Sequence, residues 1–215
     1  MNLLKSEVWS KVLTMMLWVL VALSVVELVF SAFYVLNYDF FYDRIYPVYG
    51  FVETMYVVLY YVVCIVFLIW IYRVHMDLNR MFLQFPRTPG KALACLMIPV
   101  YNLYGIPSTF RRIGDSYRSG ITGFRSQGQW IYHLALPLLI LIYVSNTLNR
   151  AIARVDVISD SLMLSTSIVE VVLYTIFLTL TILIAKGLTL ARAEVAHHTA
   201  EAEPIIEAQQ PSVSL

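Results

Sequence analysis

The sequence predicts an all-α integral membrane protein, a four-helix bundle with both termini in the cytoplasm. Three observations predict it. Of 215 residues, 60% are hydrophobic and only 13% are charged, whereas about a quarter of a soluble domain is charged. Four apolar runs are each long enough to cross a bilayer, which takes about 20 residues. Basic residues also collect between the second and third runs, which places that segment in the cytoplasm.

The four predicted spans cover about 12–36, 51–72, 130–150 and 162–185. The first run is too long for a signal-peptide core and has no small-residue cleavage site after it, so we interpret it as a retained anchor. Residues 1–193 thus form a single transmembrane domain. From 194 the chain is rich in Ala, Glu, Gln and Pro without an apolar period, so we predict a disordered cytoplasmic tail over 194–215.

The cytoplasmic element, 73–129, holds an apolar stretch at 92–106 that is too short for a span and is interrupted by proline. A re-entrant hairpin, an interfacial helix pair and a fifth span are the alternatives. A fifth span would carry the second group of arginines to the outside, against the positive-inside rule, and we reject it. The sequence therefore predicts a re-entrant or interfacial helical element between spans 2 and 3.

Residues 107–118 have the spacing of an amphipathic helix, with Phe110, Ile113 and Tyr117 on its apolar face. The opposite face and its continuation are basic, and this lipid or partner face comprises Arg111, Arg112, Arg118 and Arg125. Such a helix beside a bilayer favours anionic lipid headgroups. The alternative is that these charges only fix the topology, and both interpretations stay open.

A polar cluster is predicted in the outer half of the bundle. It comprises Glu27, Glu53, Asn146, Asn149, Arg150, Arg154 and Glu170. At 1.5 Å per residue, Glu27 and Glu170 lie roughly 12–13 Å below the outer boundary. Because a charge at that depth costs about 3 kcal/mol or more, these side chains should face the bundle interior or water.

We expect Glu27 and Glu170 to meet Arg150, with the two asparagines as hydrogen-bond partners and Glu53 and Arg154 at the outer edge. Two interpretations follow. Either the polar groups fix the packing of the helices, or they line an outward-facing cavity that binds a ligand or ion, or relays protons.

No catalytic constellation is visible. The four histidines have no zinc-motif spacing, and no phosphate-binding glycine loop or nucleophile elbow occurs. Cys64 and Cys95 lie in apolar surroundings, typical of small buried hydrophobes. We therefore predict a protein that is not an enzyme, with no cofactor and no metal, and the net charge of +1 gives no sign of a nucleic-acid partner.

The segment after the second span resembles a known family. Its motif residues are Trp70, Arg73, Asn79, Thr88-Pro89-Gly90-Lys91-Ala92, Ile98-Pro99-Val100-Tyr101-Asn102-Leu103 and Pro107. These resemble the bacterial domain-of-unknown-function family 4328, and the resemblance extends over about 60–185, including Asn146-Asn149-Arg150. Lys91 and the Leu96-Met97 pair depart from the aromatic residues that the family usually has there.

The resemblance implies a small multi-pass protein of the bacterial cytoplasmic (inner) membrane, and it implies no activity. The Pro99 and Asn102 motif suits a chain reversal at the membrane surface, because proline removes a backbone donor and asparagine can satisfy freed groups. We hypothesise that Arg73 and Asn79 brace that reversal.

Two function hypotheses remain. The first is a non-enzymatic sensor or scaffold component of an oligomeric membrane assembly, whose partners would be the lipid bilayer, further copies or another membrane protein. The alternative is a small channel or transporter whose site is the polar cluster in the outer half.

Overall fold

The computed structural model describes residues 5–82, 85–121, 123–155 and 159–209, with backbone alone at 99–100 and 197–209. These residues form helices and no strand. The elements are α1 (Glu7–Leu36), α2 (Tyr38–Phe40), a π-helical turn (Phe41–Ile45), α3 (Tyr46–Met81), α4 (Pro89–Met97), α5 (Pro99–Gly120), α6 (Arg125–Ile152) and α7 (Asp160–Gln209).

Within the described residues, four helical stretches are long and apolar enough to cross a membrane: Glu7–Leu36, Tyr38–Met81, Arg125–Ile152 and Asp160–Ala196. The all-α class with four candidate membrane-spanning helices is confirmed. Every helix is longer than its predicted span because the polar flanks continue the helix into water. Four such helices indicate a multi-pass membrane protein.

We call the end of the bundle where α1 ends and α3 begins the upper end, and the opposite end the lower end. At the upper end the chain reverses at Asn37, whose extended backbone (φ −153°, ψ 82°) stops α1 and whose side chain accepts from Phe40 N at 3.1 Å. This cap satisfies a free N–H of the next helix. The aromatic residues that follow stack on one another, as Tyr42 and Tyr46 do with ring centroids 5.0 Å apart.

Toward the lower end, six helices form a closed ring in the order α1, α3, α4, α5, α6 and α7, each packed on the next. The α4–α5 pair fills the space between α3 and α6, and in the described residues those two helices do not contact each other. In the upper half only α1, α3, α6 and α7 surround the axis. The fold therefore leaves a gap between α3 and α6 above the α4–α5 pair.

Glycines bring the backbones of α5 and α6 together. A Cβ added at Gly114 would lie 2.7 Å from the carbonyl oxygen of Gly128, and one added at Gly128 would lie 2.8 Å from that of Gly114. Small residues allow this approach, as in other membrane helix pairs. The connection contains Gly123, whose φ of +79° favours glycine. The predicted apolar face of α5 is confirmed, because Phe110, Ile113 and Tyr117 are all buried there.

Three hydrogen bonds between helices hold the lower end together. The carboxylate of Asp77 accepts from Ser6 N at 2.8 Å and thereby holds the start of α1 against α3. Trp70 Nε1 donates to Ser10 Oγ at 2.8 Å. Tyr117 donates its hydroxyl to the carbonyl of Ile184 at 2.9 Å. Burial raises the pKa of Tyr117, with the nearby Asp77 acting in the same direction, so the phenol stays a neutral donor.

The hypothesis that Arg73 and Asn79 brace the Pro99–Asn102 reversal is wrong. Asn79 Nδ2 donates to the carbonyls of His75 at 2.7 Å and Arg87 at 2.8 Å, which holds the loop before α4. Arg73 makes no hydrogen bond or ion pair in the described residues. Asn102 Oδ1 is buried there without a hydrogen-bond partner.

The prolines of the motif mark helix starts, since Pro89 and Pro99 lie in the first turns of α4 and α5, where a missing N–H costs little. Pro107 lies inside α5 and does not end it. The chain reverses at Ile98, which has an extended backbone, so the element is a pair of helices packed on the bundle.

The buried side chain of Arg87 joins the loop before α4 to α5 by hydrogen bonds. Its side chain is buried and donates to Ser108 Oγ at 2.8 Å, to Thr109 Oγ1 and to the Gly105 carbonyl at 3.4 Å. Burial lowers the pKa of Arg87, but a guanidinium remains charged in proteins. The sequence prediction counted this residue only as a topology charge.

Helix α7 continues to Gln209, into the stretch where the sequence predicts a disordered tail. Alanine and glutamate dominate that stretch, and both are good helix formers. Residues 210–215 of the predicted tail lie outside the described residues.

Candidate functional site

A cavity of about 500 Å³ lies between the upper halves of α1, α3, α6 and α7. Five of the seven residues of the predicted polar cluster line it: Glu27, Glu53, Asn146, Asn149 and Glu170. We call it the acidic cavity. The helical spacing in each of the four spans predicts that these five side chains face one another, and in the structure they line the same cavity.

Glu170 on α7 is held by hydrogen bonds from two other helices. Tyr56 on α3 donates to Oε2 at 2.6 Å, and Asn149 on α6 donates Nδ2 to Oε1 at 3.1 Å. The phenol oxygen of Tyr174 lies 3.0 Å from that of Tyr56 and extends the network. Asn149 also lies 3.4 Å from Ser145 Oγ. This carboxylate is therefore fixed in one position.

Glu27 on α1 is the opposite case. Its side chain is only 8% exposed, yet Oε1 has no hydrogen-bond partner among the described residues. One turn further along α1, Ser31 Oγ lies 2.6 Å from Ser167 Oγ and fastens α1 to α7. A buried carboxylate oxygen without a partner loses its hydration and gains nothing from the protein. This is the arrangement expected where a ligand or ion supplies the missing partner.

The predicted contact of Arg150 with Glu27 and Glu170 is wrong. Arg150 and Arg154 are exposed, neither lines the cavity, and in the described part of the chain neither forms an ion pair with a carboxylate. Helical geometry gives the reason, because Arg150 follows Asn149 by 100° around α6 and so points away from the cavity. Long basic side chains near a helix end also extend toward water.

As a result, none of the described residues that line the acidic cavity is basic, and three of them are carboxylates. A cleft with charges of one sign and low-dielectric walls concentrates ions of the opposite sign. The cavity is thus built to attract cations.

Five tyrosines complete the walls: Tyr49, Tyr56, Tyr60, Tyr61 and Tyr174. The rings of Tyr60 and Tyr174 are 6.3 Å apart between centroids. Aromatic faces attract cations within about 6 Å of the ring centre. The predicted cluster did not include Tyr49, although its spacing from Glu53, Tyr56 and Tyr60 is that of one helix face. Tyrosines at the end of a span are also typical of the membrane–water interface, which obscures this signal in the sequence.

The predicted basic face is largely occupied by the protein's own groups. Arg111 and Arg118 lie over the ring of Tyr132, at 5.1 and 5.9 Å from its centroid. Arg112 donates to the carbonyl of Pro86 at 3.0 Å. Arg125, at the start of α6, is exposed.

The four apolar helices and the polar cavity between them define the class, a multi-pass membrane protein. Residues 46–127 match the model of the family described as Domain of unknown function (DUF4328). The match confirms the resemblance seen in the motifs over α3, α4 and α5. It ends in the first turn of α6, so the Asn146–Arg150 part of the resemblance and the α6 and α7 walls of the cavity lie outside it. No curated protein and no solved structure matches this chain.

Proposed function

We propose that this protein is a non-enzymatic cation-binding membrane protein of the small transporter or channel type, with the acidic cavity as its binding site. One observation carries the proposal. Among the described residues, three carboxylates and no basic side chain line the cavity, and a buried oxygen of Glu27 has no partner. Ionisable groups within a membrane bundle mark ligand or ion sites by default because they are costly to place there.

The positive-inside rule supports an orientation with the upper end outside, so that the cavity faces the exterior of a bacterial inner membrane. Four spans rarely enclose a pore alone, so a conducting form would be an oligomer. The sensor or scaffold hypothesis depends on the basic face of α5. We place it second because Arg111, Arg112 and Arg118 already contact the protein itself.

The test uses one cysteine in the wall of the cavity. Asn146 is exposed, lines the cavity and bonds only to its own helix, through Ile142 O at 2.8 Å. In a Cys64→Ala, Cys95→Ala background, Asn146→Cys is labelled with a methanethiosulfonate reagent carrying trimethylammonium and with one carrying sulfonate. We expect the cationic reagent to react about tenfold faster or more, after normalisation to a free thiol in solution.

Two sets of variants make the result specific. Glu170→Gln and Glu53→Gln should reduce the rate ratio toward one, whereas Glu7→Gln at the lower end should leave it unchanged. Thr147→Cys, on the same turn but absent from the cavity wall, is the matched control for position. A ratio near one at Asn146→Cys, or a ratio that the glutamine variants do not alter, would overturn the proposal.

A further inference from the structure

A second cavity of about 280 Å³ adjoins the acidic cavity on its lower side. The two share four wall residues: Tyr60, Ile142, Leu173 and Tyr174. Apart from the two phenols and the thiol of Cys64, the remaining walls are aliphatic or aromatic, including Leu138 and Phe177. We call it the apolar chamber. An apolar space directly beneath a charged one matches a molecule with a charged end and an apolar end.

The path into these cavities runs between α3 and α6. The α4–α5 pair separates these helices only below the acidic cavity, whose walls come from α1, α3, α6 and α7 alone. On the α3 side of the gap, the wall residues Val57 and Tyr61 are 43% and 64% exposed, and Asn146 is exposed on the α6 side. In a bilayer this gap faces the acyl chains, so the cavity is open to molecules dissolved in the membrane.

We infer that the ligand is an amphiphilic organic cation, an amine or quaternary ammonium with an apolar tail, which enters through the α3–α6 gap. Its charged head lies in the acidic cavity near Glu27 and Glu170, and its tail fills the apolar chamber. The inference rests on the proposed function for its charged half. The evidence for its apolar tail is the apolar chamber and the α3–α6 gap, and it does not depend on the proposed function.

The chemistry of the walls distinguishes this ligand from a metal ion or a proton. A small hydrated cation needs several oxygen ligands at short range, whereas Glu170 is held by Tyr56 and Asn149, and tyrosine rings form much of the wall. Aromatic walls with few carboxylates are the arrangement that recognises alkylammonium groups. The two volumes lie near the lower part of the range of small-molecule sites, about 300–1,000 Å³.

The experiment measures how alkyltrimethylammonium ions protect Asn146→Cys from the cationic thiol reagent. The probes are tetramethylammonium, butyltrimethylammonium and octyltrimethylammonium, used with purified full-length protein carrying Cys95→Ala and Cys64→Ala. The half-protecting concentration should fall by up to about fourfold per added methylene, the effect of burying one such group. From the methyl to the butyl probe, protection should therefore improve tenfold or more.

Position 64 supplies the matched pair, because Cys64 lies in the wall of the apolar chamber. Cys64→Ala leaves the chamber open and Cys64→Phe fills it. In the filled variant we expect the gain with chain length to drop below threefold, while protection by tetramethylammonium stays the same. Val63→Phe, at a neighbouring chamber position, is the second variant if Cys64→Phe does not give folded protein.

The outcomes separate the two proposals. If all three probes protect equally, or if the filled chamber keeps the full chain-length effect, the amphiphilic ligand is overturned and the proposed cation site stands. If no ammonium ion protects while the reagent still shows its charge preference, the ligand class alone fails. If the charge preference itself is absent, the proposed function fails and this inference fails with it.

Discussion

The lower and upper halves of this bundle differ in what surrounds their polar residues. In the lower half, the carboxylate of Asp77, the indole of Trp70 and the phenol of Tyr117 each bond to a neighbouring helix. In the upper half, similar groups surround a cavity, and the unpartnered Oε1 of Glu27 lies in its wall. Buried polar atoms without a partner also occur in the described lower half, at Ser6, His75 and Gln127, but these residues do not line the acidic cavity. The same four helices thus surround two regions. In the lower one the α4–α5 pair packs between α3 and α6, and in the upper one no such pair is present among the described residues.

This contrast separates polar residues that stabilise the bundle from those that form a site. Where α4 and α5 fill the space between α3 and α6, every helix has two packed neighbours. Where they are absent, the remaining helices cannot close around the axis, and the polar side chains face the opening. Four measurements of stability test this difference between the two halves.

The largest effect is expected in the lower half, at Tyr117. Tyr117→Ala should lower the free energy of unfolding by about 3–5 kcal/mol, because it opens a cavity under Gly187 and leaves the Ile184 carbonyl without its donor. Tyr117→Phe removes only the hydroxyl and should cost about 1 kcal/mol. Unfolding of the detergent-solubilised protein by denaturant measures both. Equal losses in the two variants would show that the hydrogen bond, and not the packing, dominates.

The contact between α5 and α6 gives the next effect. Gly114→Ala should destabilise the protein by about 1–3 kcal/mol, because its new Cβ collides with the backbone of Gly128. Gly50→Ala in α3 is the control, since nothing lies within 4 Å of a Cβ there and alanine favours the helix. Thermal unfolding of the three proteins in one detergent compares them. A Gly114→Ala variant as stable as the Gly50→Ala variant would contradict the close approach of α5 to α6.

Replacing each of two glutamates in the acidic cavity by methionine should change the free energy of unfolding in opposite directions. Glu27→Met removes an unpartnered buried carboxylate and should raise stability by about 1 kcal/mol. Glu170→Met leaves the donors of Tyr56 and Asn149 unpaired and should lower stability by about 1–3 kcal/mol. Both should reduce the charge preference of labelling at Asn146→Cys toward one. Were Glu27→Met to destabilise the protein as strongly as Glu170→Met, the cluster would be structural.

The smallest effect concerns the serine pair between α1 and α7. Ser31 and Ser167 share one hydrogen bond at 2.6 Å, and such bonds between membrane helices contribute about 0.6 kcal/mol on average. A double-mutant cycle with Ser31→Ala and Ser167→Ala should give a coupling energy of about that size. Strict additivity of the two single losses would mean that the bond contributes nothing to the packing of α1 on α7.

The class of the protein and the position of the candidate site along the chain follow from the amino-acid sequence alone. Apolar runs longer than a bilayer is thick make membrane helices unavoidable, because an unpaired backbone cannot remain in lipid. Helical periodicity then placed Glu27, Glu53, Asn146, Asn149 and Glu170 on inward faces, which the structure confirms. The buried face of α5 followed from the same periodicity.

Whether Arg150 contacts the carboxylates of Glu27 and Glu170 depends on the packing of the helices, which the sequence does not give. The spacing of polar residues predicts one broad polar face on α6. In the structure this helix is rotated so that Asn149 faces the cavity and Arg150 does not. Arg150 therefore does not neutralise the carboxylates of the cavity. The apolar chamber and the α3–α6 gap likewise have no local signature. Leu96, Ile106 and Phe110 of the α4–α5 pair line the chamber, and the gap lies beyond the end of that pair. Contacts between distant segments depend on how helices rotate and cross, and a rotation of one residue, 100°, is enough to exchange a salt bridge for an open site.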